Sequence, residues 1–372
     1  MPDPCIALLR ELVSIDSVNP SLVPGAAGEA QIAHALAAHM RGLGLDVEVQ
    51  EAAPGRPNVV GVLDGAEPGR ALMLCGHTDT VGVDGMSAPF DPVERGGRLY
   101  GRGSQDMKGG VAAMIDAVRL ARDRGFRKGR LIVSAVVDEE YASLGADVLV
   151  TKWRADAAIV TEPTDLQIGV GHKGFAWAEI DTRGRAAHGS RPRDGRDAIL
   201  RMGRVLGALE ERDRELQSRD PHPVMGTGSL HASIIEGGRE LSSYPDRCRL
   251  QMERRTVVGE TAESFMGELE QILATLRQHD PEFDASAKLL FSRPPYEVPA
   301  GHELPRALAD AGAGGTIGMS FWTDAAILGG AGIPSVLFGP GGAGLHSTEE
   351  YVVIEDVIAC RDVLAKLALT WL

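Results

Sequence analysis

The sequence predicts an α/β fold interrupted by a smaller α+β domain. Three observations predict it. Helical and strand-like patterns alternate through residues 1–174, the order changes to β-α-β-β-α-β over residues 175–291, and α/β texture returns over residues 292–372. Alternating strands and helices call for a sheet with helices on both faces, and the middle order is that of a split-βαβ unit. At 372 residues the chain is long enough for two cores, because single cores stop growing near roughly 250–300 residues.

The elements follow in order. Cys5–Ile15 and Glu29–Leu43 carry apolar residues at helical spacing, and Gly44 stops the second. Strand-like runs occupy Asp46–Gln50, Asn58–Leu63 and Ala71–Cys75. Met107–Arg124 reads as a helix closed by Gly125, followed by the strand Arg130–Val137, the helix Leu144–Lys152 and the strand Ala157–Thr161. In the middle region Phe175–Asp181 alternates as a half-exposed strand does, and Asp197–Leu216 is a charged amphipathic helix. The strands Gly228–Ile235 and Arg247–Glu253, the helix Glu260–Arg277 and the strand Phe283–Leu290 complete that domain. After the Pro-rich run Arg293–Tyr296 come the strand Ser335–Phe338 and a terminal helix from Glu355.

Composition narrows the function classes. Hydrophobic content of 44% and charged content of 24% are those of an ordinary globular protein. A formal charge of −14 argues against a nucleic-acid partner, since phosphate binding needs a basic surface. No apolar run approaches the ~20 residues that span a bilayer, so no membrane partner is expected. Met1-Pro2-Asp3-Pro4-Cys5 lacks the basic start and apolar core of a signal peptide, which sets a cytoplasmic location as the expectation. Cys5, Cys75, Cys248 and Cys360 are scattered and form no C-x-x-C pair. Any metal must then be held by imidazole and carboxylate.

Several apolar runs end in such residues. Leu72-Met73-Leu74-Cys75-Gly76 ends in His77, and Asp79 lies two positions on, so on a strand both point the same way. His77 would offer a ring nitrogen to a metal while Asp79 orients the ring from behind. Asp106 sits in the glycine-rich run Gly101–Gly110 before a helix, a run without the G-x-x-x-x-G-K-[ST] spacing of a phosphate loop. Asp138-Glu139-Glu140 ends the strand Arg130–Val137, and three successive carboxylates repel unless a cation neutralises them. Glu162 ends a further strand, and His346 follows the loop Gly339–Gly344. Each alone is a polar turn. Together they lie where open α/β sheets bind ligands, beyond the carboxyl ends of the strands. Two His plus carboxylates suit zinc or a similar divalent ion, and there are enough ligands for two ions if one carboxylate bridges.

These motifs make the chain resemble the acetylornithine deacetylase, succinyl-diaminopimelate desuccinylase, aminoacylase and carboxypeptidase G family of two-metal amidohydrolases and peptidases. The motifs occur in order over nearly the whole chain: Gly76–Asp79, Gly103–Gly110, Asp138–Glu140, Glu162–Thr164, His188–Pro192 and Gly339–Gly341 leading to His346. The resemblance implies a zinc-peptidase-like core with a mixed sheet and an inserted ferredoxin-like domain serving as dimerisation module and lid. It implies two divalent ions, zinc with cobalt or manganese as alternatives. His77, Asp106 and Glu162 would hold one ion, and Asp106, Glu140 and His346 the other, with Asp106 bridging and a cis peptide at Asp106–Met107. Glu139 would be the general base, Asp79 the partner of His77, and His188 the oxyanion donor reaching from the partner subunit of a homodimer. A metal-bridging water would attack the scissile amide carbon.

The same resemblance matches Arg255 to an arginine that clamps a substrate carboxylate, and the Gly339–Gly344 loop, Gly341 included, would add backbone donors. Ser242 stands where the family often has Asn, and Val258 where it often has Pro. Members that remove N-acyl groups generally have Glu at the position of Glu162, whereas dipeptidase-like members tend to have Asp. The expectation is therefore hydrolysis of an N-acyl amino acid, with acetylornithine-like deacetylation ahead of desuccinylation, and carboxypeptidase G-like or dipeptide cleavage behind. A non-catalytic amino-acid-binding protein would be expected to have lost a ligand or the base, and none is lost.

Overall fold

The computed structural model describes residues 3–372. Met1 and Pro2, which open the run read for a signal sequence, lie outside them. In chain order the elements are α1 (Pro4–Ser14), α2 (Ala30–Gly42), β1 (Asp46–Ala53), β2 (Arg56–Asp64), β3 (Glu67–His77), β4 (Val93–Arg95) and β5 (Arg98–Tyr100). A π-helical turn (Ser104–Lys108) leads to α3 (Gly109–Asp123), β6 (Lys128–Val136), α4 (Leu144–Lys152), β7 (Ala157–Val160) and β8 (Ile168–His172). Next come β9 (Gly174–Arg183), α5 (Ala198–Gln217), β10 (Ser229–Gly237), β11 (Arg247–Thr256), α6 (Ala262–His279) and β12 (Asp284–Arg293). The last stretch holds β13 (Tyr296–Glu297), α7 (Leu304–Ala311), β14 (Thr316–Met319), α8 (Ala325–Gly330), β15 (Ser335–Leu337), β16 (Gly342–Ala343), β17 (Tyr351–Val353) and α9 (Ile354–Trp371).

The chain divides into two compact units. The first contains the residues up to Val170, Val298–Ile317 and Thr323–Leu372, and the second Gly171–Glu297 with Gly318–Trp322. The main sheet runs β1-β2-β6-β3-β7-β15-β8-β13, with β14 against β8. Its centre is parallel: β6, β3, β7 and β15 run together, while β1, β2 and β8 pair antiparallel. Parallel strands are covered on both faces and so read as unbroken apolar runs. Leu72, Met73, Leu74 and Cys75 are accordingly all buried, as are Leu131, Ile132 and Val133 on β6. Helix α3 is buried along nearly its whole length, packed in one core with α1, α2 and α9. Gly110 permits this: a Cβ there would meet the carbonyl oxygen of Thr161 at 2.0 Å.

In the second unit β10-β11-β9-β12 form an antiparallel sheet, the order expected of a split-βαβ domain. Strand β11 alternates strictly, with Cys248, Leu250 and Met252 turned into a core shared with Val205 of α5 and Phe265 and Leu269 of α6.

Two expectations need correction. The helix expected from Met107 begins at Gly109, because Asp106 (φ −114°, ψ 92°) and Met107 (φ −130°, ψ 34°) are not helical and put a kink before α3. A second sheet of the first unit, β16-β17-β5-β4, was not expected at all. Its strands are two or three residues long, too short for a period of two to register.

Candidate metal centre

Register brings the candidate ligand residues together. Parallel pairing sets His77 beside Val136 and Cys75 beside Val160, so β3, β6 and β7 end at one level. His77 ends β3, Asp138-Glu139-Glu140 follows β6, and Glu162 follows β7. The small sheet delivers the remaining two. His346 lies in the loop between the paired strands β16 and β17, β17 pairs with β5, and β5 runs into the turn that bears Asp106. The peptide between Asp106 and Met107 is cis, as the resemblance implies.

Asp106 stands between the two imidazoles. Its Oδ1 lies 3.0 Å from His77 Nε2 and its Oδ2 3.4 Å from His346 Nε2. His346 Nε2 is also 3.1 Å from Glu140 Oε2, and His77 Nε2 is 3.9 Å from Glu162 Oε1 and 4.0 Å from Glu139 Oε2. His77 is buried, whereas the side chain of His346 is 57% exposed and its backbone takes a left-handed φ of 57°. That conformation is uncommon for a non-glycine residue and is retained where surrounding structure enforces it.

The charges are strongly coupled. Burial, and next the Glu162 charge, push Glu139 well above the usual carboxylate range. Burial alone is the largest cause for Glu162, which moves the same way, with Asp106 and Asp324 adding to it. Burial and the Asp106 charge raise Glu140 to about 7. Asp106 is held below its ordinary value: burial opposes this, but bonds from His346 and His77 prevail. Burial likewise opposes the charged form of His77, yet Asp106, Glu162 and Glu139 hold its imidazole well above the ordinary value. Hydrogen bonds to Asp106 and Glu140 push His346 up to about 10. Protons thus sit where the donor set favours positive charge.

Asp79 touches both His77 and the turn that follows β6. His77 Nδ1 lies 3.0 Å from the backbone oxygen of Asp79 and 3.6 Å from its carboxylate Oδ1. A carbonyl only accepts, so Nδ1 carries a proton and Nε2 is the nitrogen turned toward the carboxylates. The Asp79 carboxylate also accepts from the amides of Glu139 and Glu140, each at 3.1 Å. Asn19, missed in the sequence, donates to Asp79 Oδ2 (2.8 Å) and Asp138 Oδ1 (3.1 Å). Arg56 donates to Asp138 Oδ1 at 2.8 Å and pairs with buried Glu29. Buried groups thereby fix the Glu139–Glu140 turn from both sides.

Sequence reasoning also missed Glu350 and Arg102. The buried Glu350 carboxylate accepts from Arg102 Nη1 (2.7 Å) and from the amides of Gly103 (3.0 Å), Gln105 (2.9 Å) and Asp106 (3.1 Å). The only sequence cue was a carboxylate shortly after His346. Gly341 requires a correction, because its N–H already donates to Asp356 Oδ2 at 3.2 Å and is not free for a substrate.

The other three site residues lie on the second unit. His188 is exposed, and its Nδ1 accepts from the Ser190 amide at 3.2 Å, which makes Nε2 the N–H donor of the neutral ring. Ser242 is adjacent, its carbonyl accepting from the Gly189 amide at 2.7 Å. Arg255 is the penultimate residue of β11, held at 2.6 Å by Glu253 with its guanidinium 5.6 Å from the Phe175 ring centroid.

The donor set fits divalent cations. Two groups of ligand atoms each lie within 4.8 Å of one another, His77 with Glu139 and Glu162, and His77 with Asp106 and Glu140. Glu162 Oε1 is buried without a hydrogen-bond partner, a costly state that a cation relieves. Imidazole with carboxylate suits zinc-like ions.

Comparison with known proteins agrees. The sequence profile described as Peptidase family M20/M25/M40 matches residues 73–370. The chain is 33% identical to an acetylornithine deacetylase of Myxococcus xanthus, over 97% of this chain and 95% of that protein. It is 30% identical to an N-formyl-4-amino-5-aminomethyl-2-methylpyrimidine deformylase of Bacillus subtilis, over 90% of this chain and 88% of the relative. Among solved structures, the Bacillus subtilis YXEP protein, a dinuclear metal binding peptidase from the M20 family, superposes with a TM-score of 0.76 at 16% identity, covering 99% of this chain and 97% of that one. With histidine and carboxylate side chains gathered at its strand ends and a profile match over most of its length, this chain belongs to Peptidase family M20/M25/M40 and is a metallo-amidohydrolase.

Proposed function

We propose that the chain hydrolyses the amide bond of an N-acyl amino acid, in the manner of an acetylornithine deacetylase, with Glu139 as general base. The observation that carries this reading is Asp106, whose two carboxylate oxygens face two different histidines. His77, Asp106 and Glu162 would hold one divalent cation, and Asp106, Glu140 and His346 a second, zinc ahead of cobalt or manganese. Bound there, the pair would acidify water and polarise the scissile carbonyl. Glu139 would take the proton of the attacking water and return it to the leaving nitrogen. Burial suits it to the first task, since burial, and next the Glu162 charge, raise the carboxyl's affinity for a proton. His188 would donate its Nε2–H to the tetrahedral oxyanion from the partner subunit, and Arg255 would clamp the substrate carboxylate with Ser242 nearby. A cytoplasmic location belongs to the same reading, supported by four free and buried cysteines. No helix among the described residues is long and apolar enough to cross a membrane.

The test is a panel of N-acetyl, N-succinyl and N-formyl amino acids and dipeptides with zinc-, cobalt- and manganese-loaded protein. An N-acetyl amino acid is expected to be preferred over any dipeptide by at least about tenfold in kcat/KM, that is by about 1.4 kcal/mol. A dipeptide preference would overturn the substrate assignment.

The homodimer would form through the second unit. Strand β10 is an edge strand exposed from His231 to Gly237, with Ile234 54% and Ile235 52% exposed, and Leu200 on α5 is 71% exposed. An open edge flanked by apolar side chains is a template for pairing. Ile234→Asp is expected to give a monomer in analytical ultracentrifugation. With the trans donor lost, kcat should fall about 10²–10³-fold, as for removal of one oxyanion donor. A fully active monomer would place His188 in cis or outside the reaction.

A further inference from the structure

We propose that Arg102 and Glu350 are a positioning pair that sets the spacing between Asp106 and His346, and so the affinity of the metal position those two residues share with Glu140. This rests on the two-cation reading above. The small sheet ties residues 98–100 to residues 351–353 through Tyr100↔Tyr351 and its neighbours. Asp106 and His346 lie beyond those pairs, on loops that strand pairing does not reach. Besides the contacts of the His346 ring with Asp106 and Glu140, what spans the gap is one buried ion pair and its backbone bonds.

Glu350 fixes the Asp106 side. Its Oε2 takes Arg102 Nη1 and the Gly103 amide, and its Oε1 takes the Gln105 and Asp106 amides. Three of the four donors are backbone groups of the turn that presents Asp106, so this carboxylate dictates the path of that turn. Arg102 fixes the His346 side, donating Nη2 to the Ser347 carbonyl at 3.0 Å, one residue from His346. The Gly101 amide also donates to the Glu350 carbonyl at 3.2 Å. The Arg102 and Glu350 side chains are 3% and 0% exposed, so their attraction is little screened. The pair also serves electrostatics. Glu350 would repel Asp106 across a short, dry distance, and the Arg102 charge offsets this. Without Arg102 the His346 loop keeps its hairpin but loses its anchor next to the ligand. His346, with its left-handed backbone and exposed ring, would then wander from Glu140 and Asp106.

The two cation positions are affected unequally. His77 and Glu162 are held by β3 and β7 and do not depend on the pair. Arg102→Lys keeps a charge but cannot reach Glu350 and Ser347 together, because an ammonium lacks the planar fork. Zinc titrated calorimetrically into metal-free protein is expected to fill two sites in the wild type. In Arg102→Lys one site should lose on the order of 10–100-fold in affinity, as when the outer partner of a metal ligand is removed, with the other changed by less than about threefold. Glu350→Gln, close to isosteric, should weaken both sites, because it loosens Asp106 itself. Should Arg102→Lys fail to fold by circular dichroism, the double variant Arg102→Met/Glu350→Gln removes both charges and is expected to show the Glu350→Gln pattern. Equal shifts at both sites in Arg102→Lys, or unchanged affinities in Glu350→Gln or in the double variant, overturn the positioning role. A wild type that binds fewer than two ions overturns the two-cation reading and this inference with it.

Discussion

Replacing Glu139 with Gln is expected to cut kcat by about 10²–10⁴-fold, the usual contribution of a general base, with KM within about threefold of the wild type. At 1.36 kcal/mol per tenfold this is about 3–5 kcal/mol of transition-state stabilisation. The substitution is nearly isosteric and keeps the backbone N–H that donates to Asp79 at 3.1 Å, so the turn should survive. Steady-state kinetics alone would not settle the role, because Glu139 also belongs to a cluster of ligand atoms with His77 and Glu162. Zinc calorimetry on the variant separates the two possibilities. Two ions retained with turnover lost assigns the base, and an ion lost with turnover assigns a ligand. Normal turnover would remove Glu139 from the mechanism.

Stripping divalent metal with a chelator is expected to abolish activity and to lower the melting temperature more at pH 8 than at pH 5. The sign follows from the metal-free carboxyls. Burial and then Asp106 raise Glu140 from 4.5 to about 7. A group raised in the folded state lends stability that is complete below its unfolded value and is lost as pH climbs through its folded value. Glu140 therefore withdraws stability from the metal-free protein between about 4.5 and about 7. His346, raised from 6.5 to about 10 by Asp106 and Glu140, acts the same way at higher pH. Asp106, held low by His346 and His77 against burial, acts oppositely, but its loss falls at acid pH, below 3.8. Bound cations replace the protons of the histidines and neutralise the carboxylates, so they stabilise most where the metal-free site is worst. At a free concentration 100 times Kd one ion contributes about 2.7 kcal/mol. Thermal melts with and without chelator from pH 5 to 9 test this. A chelator effect independent of pH would contradict the coupled carboxylates described above.

Much of this site was legible because buried parallel strands announce themselves. Ala71–Cys75 and Arg130–Val137 read as apolar runs, and a run that halts at His77 or Asp138 marks a strand end without any knowledge of tertiary contacts. Glu162 was found the same way. The further bonds of Asp79 to the Glu139 and Glu140 amides are not legible, because they depend on β3 and β6 being neighbours in register. Sequence spacing reports the face of a strand and not the strand beside it. Arg102 and Glu350 were out of reach for a related reason: they meet from 248 residues apart, and neither lies on a periodic element. The strands that bring them near, β5 and β17, have three residues each. Gly341 was misjudged since a glycine-rich loop looks like a row of free amides, while here a nearby Asp356 already claims one.

The discontinuity of the first unit also orders its birth on the ribosome. The four-stranded sheet of the second unit and its helices α5 and α6 emerge within residues 171–297, so that sheet can close while the ribosome is still translating. The first unit has to wait. Strand β15, wedged between β7 and β8, and α9, which seals α3, are translated last. Until then β7 keeps a naked flank and α3 an oily one, leaving a nascent chain that needs shelter from its neighbours.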